Sequence, residues 1–197
     1  MKLLSHKKNV IKFLLLVMVS IVLSACEVAP LKHDKWETPD AVVSEEIKQR
    51  YAYALQLMGA GNTEAAIRVL NHVSQLDDSL SGPYANRGLI YLKLENREKA
   101  QQQFELALER NSRNVTALNQ MGIFLREKKE FKAARLNYET ALTINKNHLN
   151  AHLNLGILCD IYLQDKVCAV EHFEAYQSLN GEDETVANWL VDLREQL

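Results

Sequence analysis

The residues best suited to chemistry in this 197-residue chain are a histidine pair and three cysteines. His148 and His152 are four apart, a spacing that on a helix sets two imidazoles on one face with zinc-ligand geometry. No further histidine or carboxylate completes a ligand set by sequence, and His148 falls where a turn is expected. Core packing is the preferred reading of the pair, with a zinc-dependent hydrolase as the alternative. Of the cysteines, Cys26 closes an apolar run, whereas Cys159 and Cys168 stand near one another late in the chain. The thiolate is the reactive form of each, as nucleophile or metal ligand. No Ser/His/Asp pattern, glycine-rich phosphate loop or paired-carboxylate spacing stands out. No catalytic residue, cofactor or metal is therefore assigned, and a non-enzymatic protein is expected.

Charge narrows the partners. The formal net charge is −2, yet Lys2, Lys7, Lys8 and Lys12 precede Cys26 with no acid among them. Without these four, 19 basic residues face 25 acidic ones, a net of −6. A body that acidic, with no basic stripe, is poorly built to grip phosphate backbones, so no nucleic acid is expected. The apolar share is 47%, with seven glycines and three prolines, which suits a packed core. Apolar residues recur at i, i+3, i+4 and not in period-2 runs, so the fold class is all-α.

The N-terminus reads as an address. Residues 1–25 have the form of a signal peptide, basic up to Lys12 and then apolar from Phe13 to Ala25. That run is shorter than the roughly 20 residues of a spanning helix, and an uncleaved anchor would draw Lys12 into the bilayer. Leu23-Ser24-Ala25-Cys26 resembles the lipobox of bacterial lipoproteins. The resemblance implies lipid attachment at Cys26, whose thiol is acylated and becomes the new N-terminus. At ~0.8 kcal/mol per buried methylene, two or more acyl chains anchor a protein effectively for good. In that family an Asp after the cysteine tends to retain the protein in the inner membrane. Glu27 stands there, so the resemblance leans towards the outer membrane. Residues 26–38 would be the lipidated N-terminus and a tether, and Thr38-Pro39 has the form of a helix start.

The rest of the chain is organised by a period. Gly88 stands twelve residues before Ala100, with Phe104, Ala107 and Leu108 following. Thirty-four residues on, Gly122, Ala134, Tyr138, Ala141 and Leu142 repeat the pattern, and Gly156 follows Gly122 by 34. Thirty-four back, Ala54, Ala66, Leu70 and Val73 give a weaker copy. Small residues locked to this period signal a two-helix solenoid. In the first hairpin Tyr53, Ala54 and Leu57 share a face, and Gly61-Asn62 breaks the helix. Tyr84 ahead of Gly88, then Tyr91, Ala100, Phe104 and Ala107, resemble the tetratricopeptide repeat (TPR). Small residues at each crossing let helices approach to about 8–10 Å while aromatic rings fill the gaps beside them. Departures are Tyr84 and Leu118 in place of tryptophan, and Asp78, Ser112 and Lys146 where a proline usually ends each repeat. The resemblance implies a right-handed solenoid of about four helix-turn-helix repeats over 39–180. A fourth repeat in phase requires one inserted residue, placed at Leu163-Gln164-Asp165-Lys166. Gly181 then closes a helix, and 181–197 forms a capping helix started by Asp183 with the stripe Val186, Trp189, Leu190, Leu193 and Leu197.

The two resemblances give the remaining residues their expected roles. A mature lipoprotein lies outside the cytoplasm, where disulfides persist. Helices crossing beneath Gly156 would bring Cys159 and Cys168 within the roughly 4.4–6.8 Å Cα separation of a bridge. A disulfide is expected there, with two buried thiols as the alternative. In TPR arrays the first helices line a concave groove, faced by the residue after each crossing residue. The implied peptide-binding groove comprises Tyr51, Leu55, Met58, Leu89, Leu92, Asn119, Ile123, Leu153 and Ile157, edged by Lys93, Arg126 and Glu127. Leu89 and Ile123 replace the polar residues of the family's clamp for a C-terminal carboxylate, so that clamp is not expected. An apolar ladder suits an extended segment or amphipathic helix of an envelope protein. The resemblance extends to small TPR lipoproteins that assist type IV pilus assembly by escorting or stabilising the outer-membrane secretin. An adaptor docking peptidoglycan hydrolases onto a protease is the alternative.

Overall fold

The computed structural model describes residues 44–197. The signal peptide, Cys26, the tether and the Thr38-Pro39 helix start lie outside the described residues. Within them the chain forms nine α-helices and no strand. The first hairpin is α1 (Glu45–Gly59) and α2 (Thr63–Leu76), and the second is α3 (Ser81–Lys93) and α4 (Arg97–Arg110). The third is α5 (Val115–Glu127) and α6 (Phe131–Ile144). In the fourth, α7 (Leu149–Ile157) runs on as a π-helical turn, Leu158–Leu163, before α8 (Lys166–Asn180); α9 (Glu184–Arg194) follows. Helices pack mainly on their neighbours in sequence, with α5 also reaching α7.

Local chemistry sets the boundaries. Ser44, Asn96, Asn114, Asp165 and Asp183 each accept a backbone N–H from the first turn of the helix that follows, satisfying donors that have no partner inside it. Within each hairpin the first helix stops just before a residue of positive φ: Gly61 (78°), Glu95 (58°), Lys129 (64°) and Gln164 (54°). Turns between repeats lack proline but are closed another way. Asp77, Asn111 and Asn145 recur every 34 residues, and each side-chain oxygen accepts the N–H two residues on, at 2.9–3.1 Å. An Asx turn thus does the stopping that proline does elsewhere.

The core is built on the glycine crossings. A Cβ added at Gly88 would lie 2.6 Å from the Phe104 ring, at Gly122 2.4 Å from Tyr138, and at Gly156 2.5 Å from Phe173. Three glycines therefore mark equivalent contacts, each with an aromatic ring laid across the bare backbone. Phe104 and Tyr138 follow their glycines by 16 residues and Phe173 by 17, which is the inserted residue. The π-helical turn absorbs it, largely ahead of the expected Leu163–Lys166, because an i→i+5 turn accommodates one extra residue without breaking the helix. Two apolar positions point elsewhere than their stripes suggest. Tyr53 is 54% exposed, because its equivalent Arg87 is covered by the preceding repeat, bonding the Leu70 carbonyl and Ser74, while no repeat precedes Tyr53 among the described residues. Leu197 is exposed beyond the end of α9, whereas Val186, Leu190 and Leu193 seal the core and Trp189, though partly exposed, sets its ring at a tilt against Phe173.

Candidate partner-binding groove

Leu55, Leu89, Ile123 and Ile157 each follow the small crossing residue of a first helix, so they share one face of the array. Leu55 is 43% exposed, and the other three are half-buried with one side against the core. They form a ladder of apolar side chains left partly open at every repeat. Met58 and Leu92, about a turn further along, are half-buried as well, as are Tyr51 and Leu153 a turn earlier.

Asn119 corrects the expected lining. It is 2% exposed, and its Oδ1 accepts from Asn154 Nδ2 at 3.1 Å. Its amide ties α5 to α7 and is not open groove surface. The same connection occurs between α1 and α3, where Asn86 Nδ2 donates to Tyr51 Oη at 2.5 Å. Gly82 keeps room for that hydroxyl, since a Cβ there would lie 2.5 Å from it. Asn86 and Asn154 were legible in principle: with Gln120 between them they form an amide series at the repeat period.

The groove's charged edge is asymmetric. Glu127 pairs with Arg97, whose guanidinium also lies 4.8 Å from the Phe124 ring centre. Arg126 has no carboxylate partner among the described residues; it sits 6.0 Å from the Tyr162 ring, with Nη1 shut off from solvent and unpaired. The Tyr138 hydroxyl is also buried without a hydrogen-bond partner. Burial pushes its pKa up to about 12, so it is a proton donor at neutral pH.

Cys159 and Cys168 are joined by a disulfide, with Cα atoms 5.9 Å apart. It clasps the π-helical turn to α8. The Asp165 carboxylate lies within 4.8 Å of both sulfurs, but it caps α8 and approaches Arg135, and the bridge leaves no thiolate to hold a metal. The histidines have structural partners. His148 Nδ1 accepts the Ala151 N–H at 3.1 Å and caps α7. His152 Nε2 lies 2.9 Å from the Lys146 carbonyl and Nδ1 lies 3.1 Å from His172 Nδ1. The carbonyl can only accept, so His152 donates from Nε2, and in the neutral ring its Nδ1 accepts from His172. Burial lowers the pKa of both His148 and His172. Nothing in the local sequence announces His172, which lies twenty residues from its partner.

A family model described as the tetratricopeptide repeat matches residues 82–114 and 115–148. The chain carries tetratricopeptide repeats. Its TPR array is similar to the type IV pilus assembly protein PilF of Pseudomonas aeruginosa, 28% identical over 184 residues, which cover 92% of this chain and 70% of that one. The solved structure of Pseudomonas aeruginosa pilF superposes with a TM-score of 0.64 at 26% identity, covering 76% of this chain and 68% of that one. That of YrrB, a TPR protein with an unusual peptide-binding site, gives a TM-score of 0.53 at 23% identity over 66% of each chain and shares the fold. Among the described residues no helix is long and apolar enough to cross a membrane.

Proposed function

We propose that this TPR protein is a non-catalytic scaffold of the bacterial envelope, fixed to a membrane by lipid on Cys26 and assisting assembly of a type IV pilus complex such as the secretin. The observation that carries the reading is the half-open ladder Leu55, Leu89, Ile123 and Ile157, repeated once per hairpin on one face. Such a surface binds by burying apolar side chains of an extended segment or helix from a partner. Similarity to PilF supplies the pilus, and the lipobox supplies the anchor, with Glu27 favouring the outer membrane.

The test separates groove from anchor. Leu89→Asp with Ile123→Asp places two carboxylates in the ladder while leaving the glycine crossings intact. Cells carrying this variant at wild-type level should lose surface pili and misassemble the secretin. Cys26→Ala should release the protein from the membrane fraction. Normal pili with the double variant would refute the groove reading, and altered peptidoglycan-hydrolase levels with normal pili would support the adaptor alternative.

A further inference from the structure

The third repeat departs from its neighbours at two positions grouped around the Gly122 crossing. The ring under Gly88 and the ring under Gly156 are Phe104 and Phe173, while under Gly122 it is Tyr138. A phenylalanine would fill that crossing equally well, so the hydroxyl is not there for packing. It is fully buried and bonded to nothing, and a buried donor left unpaired costs about 1–3 kcal/mol. The second departure is Arg126, four residues after Gly122. Met58 and Leu92 hold that position in the first two repeats. Arg126 Nη1 is a second buried, unpaired donor, one helical turn beyond the glycine against which the Tyr138 ring lies. Around them the short stretch 126–132 carries Arg126, Lys128, Lys129 and Lys132, while of its two acids Glu127 is already paired to Arg97. This is a cationic edge on an otherwise acidic body.

We infer that Arg126 and the Tyr138 hydroxyl form an acceptor-seeking subsite of the groove, which takes an acidic side chain of the bound partner segment. The inference rests on the groove reading above. Ile123 and Arg126 are three residues apart on one helix face, about 5–6 Å between Cβ atoms. The fitting ligand therefore places an apolar side chain on Ile123 and an Asp or Glu beside it. Tyr162, 44% exposed on the π-helical turn and tilted against the Phe131 ring at 5.0 Å, covers the Arg126 guanidinium. Its ring turns aside for the carboxylate to reach both donors. A carboxylate is the chemistry that matches, because it accepts from a guanidinium and a hydroxyl at once without leaving a donor of its own unpaired.

Two labelled dodecapeptides of alternating Leu and Ser, one with a central Glu and one with Gln there, test this by fluorescence anisotropy with the 26–197 chain. The Glu peptide should bind about tenfold tighter. Arg126→Gln should level the two Kd values by weakening only the Glu peptide. Tyr138→Phe should cut the preference several-fold while the unbound protein resists urea at least as well as wild type. Equal wild-type affinities that Leu89→Asp with Ile123→Asp abolishes would overturn the subsite and leave the groove standing. A Glu preference that survives Arg126→Gln would overturn the assignment to Arg126. Binding of neither peptide would overturn the groove and the subsite together.

Discussion

Alanine at Gly122 should destabilise the array even though alanine is the better helix former. In a free helix the change would gain about 0.8–1.0 kcal/mol. Here the new Cβ would stand 2.4 Å from Tyr138 Cε1 and 2.8 Å from Cδ1 and Cζ, about 1 Å inside ordinary carbon contact. The ring cannot yield, because Tyr138 is completely enclosed and its repeat is packed on both sides. Overpacking of this kind costs roughly 1–3 kcal/mol, and an overlap this deep with a fixed ring belongs at the upper end. The net loss should be about 2 kcal/mol. Gly59→Ala is the matched control, since it lies in the last turn of α1 with nothing within 4 Å of the added Cβ. It should gain about 0.5–1 kcal/mol. Urea unfolding followed by far-UV circular dichroism reads both. A Gly122→Ala protein as stable as wild type would refute the close approach on which the stack depends.

Removing the disulfide with Cys159→Ser and Cys168→Ser should cost about 2.6 kcal/mol by the loop-entropy relation for a separation of nine residues; reduction of the wild-type protein should lower its urea midpoint by a matching amount. Lys129→Gly should stabilise by about 0.5–1 kcal/mol in the same assay, because it relieves a left-handed backbone at φ 64° at the price of a looser unfolded chain. Stability should fall as pH drops below about 6.5. His148 and His172 both have folded pKa values under the ordinary one, so the unfolded chain binds more protons in that window. Thermal melts at pH 7.5 and pH 5 check the sign, and His172→Gln should flatten the dependence.

Most of the fold was readable because its determinants are local and periodic. Gly88, Gly122 and Gly156 fix the crossings, and the rings that lie over them sit at a set distance along the chain. The phase slip could be counted at Phe173, but its location could not, since a π-helical turn leaves no composition signal in Leu158–Leu163. Groove residues were partly readable. Leu89 and Ile123 follow from register alone. Asn119 misled because its burial depends on an amide from another repeat, and register says nothing about which polar side chains find each other. Tyr53 misled for the opposite reason, as among the described residues the first repeat has no neighbour like the one that covers the same position later. The unpaired donors of Arg126 and Tyr138 required coordinates, although tyrosine in a series of phenylalanines was already visible.

Stacking almost wholly between sequence neighbours has a consequence for how the molecule is made. Among the described residues the main helix contacts join sequence neighbours or helices two apart, so contact order is low and closure of one hairpin need not await distant chain. A polypeptide emerging N-terminus first can therefore fold unit by unit as it appears, each new hairpin templated by the last. The Cys159–Cys168 link lies in the fourth hairpin, so slow oxidation there need not delay the three hairpins before it.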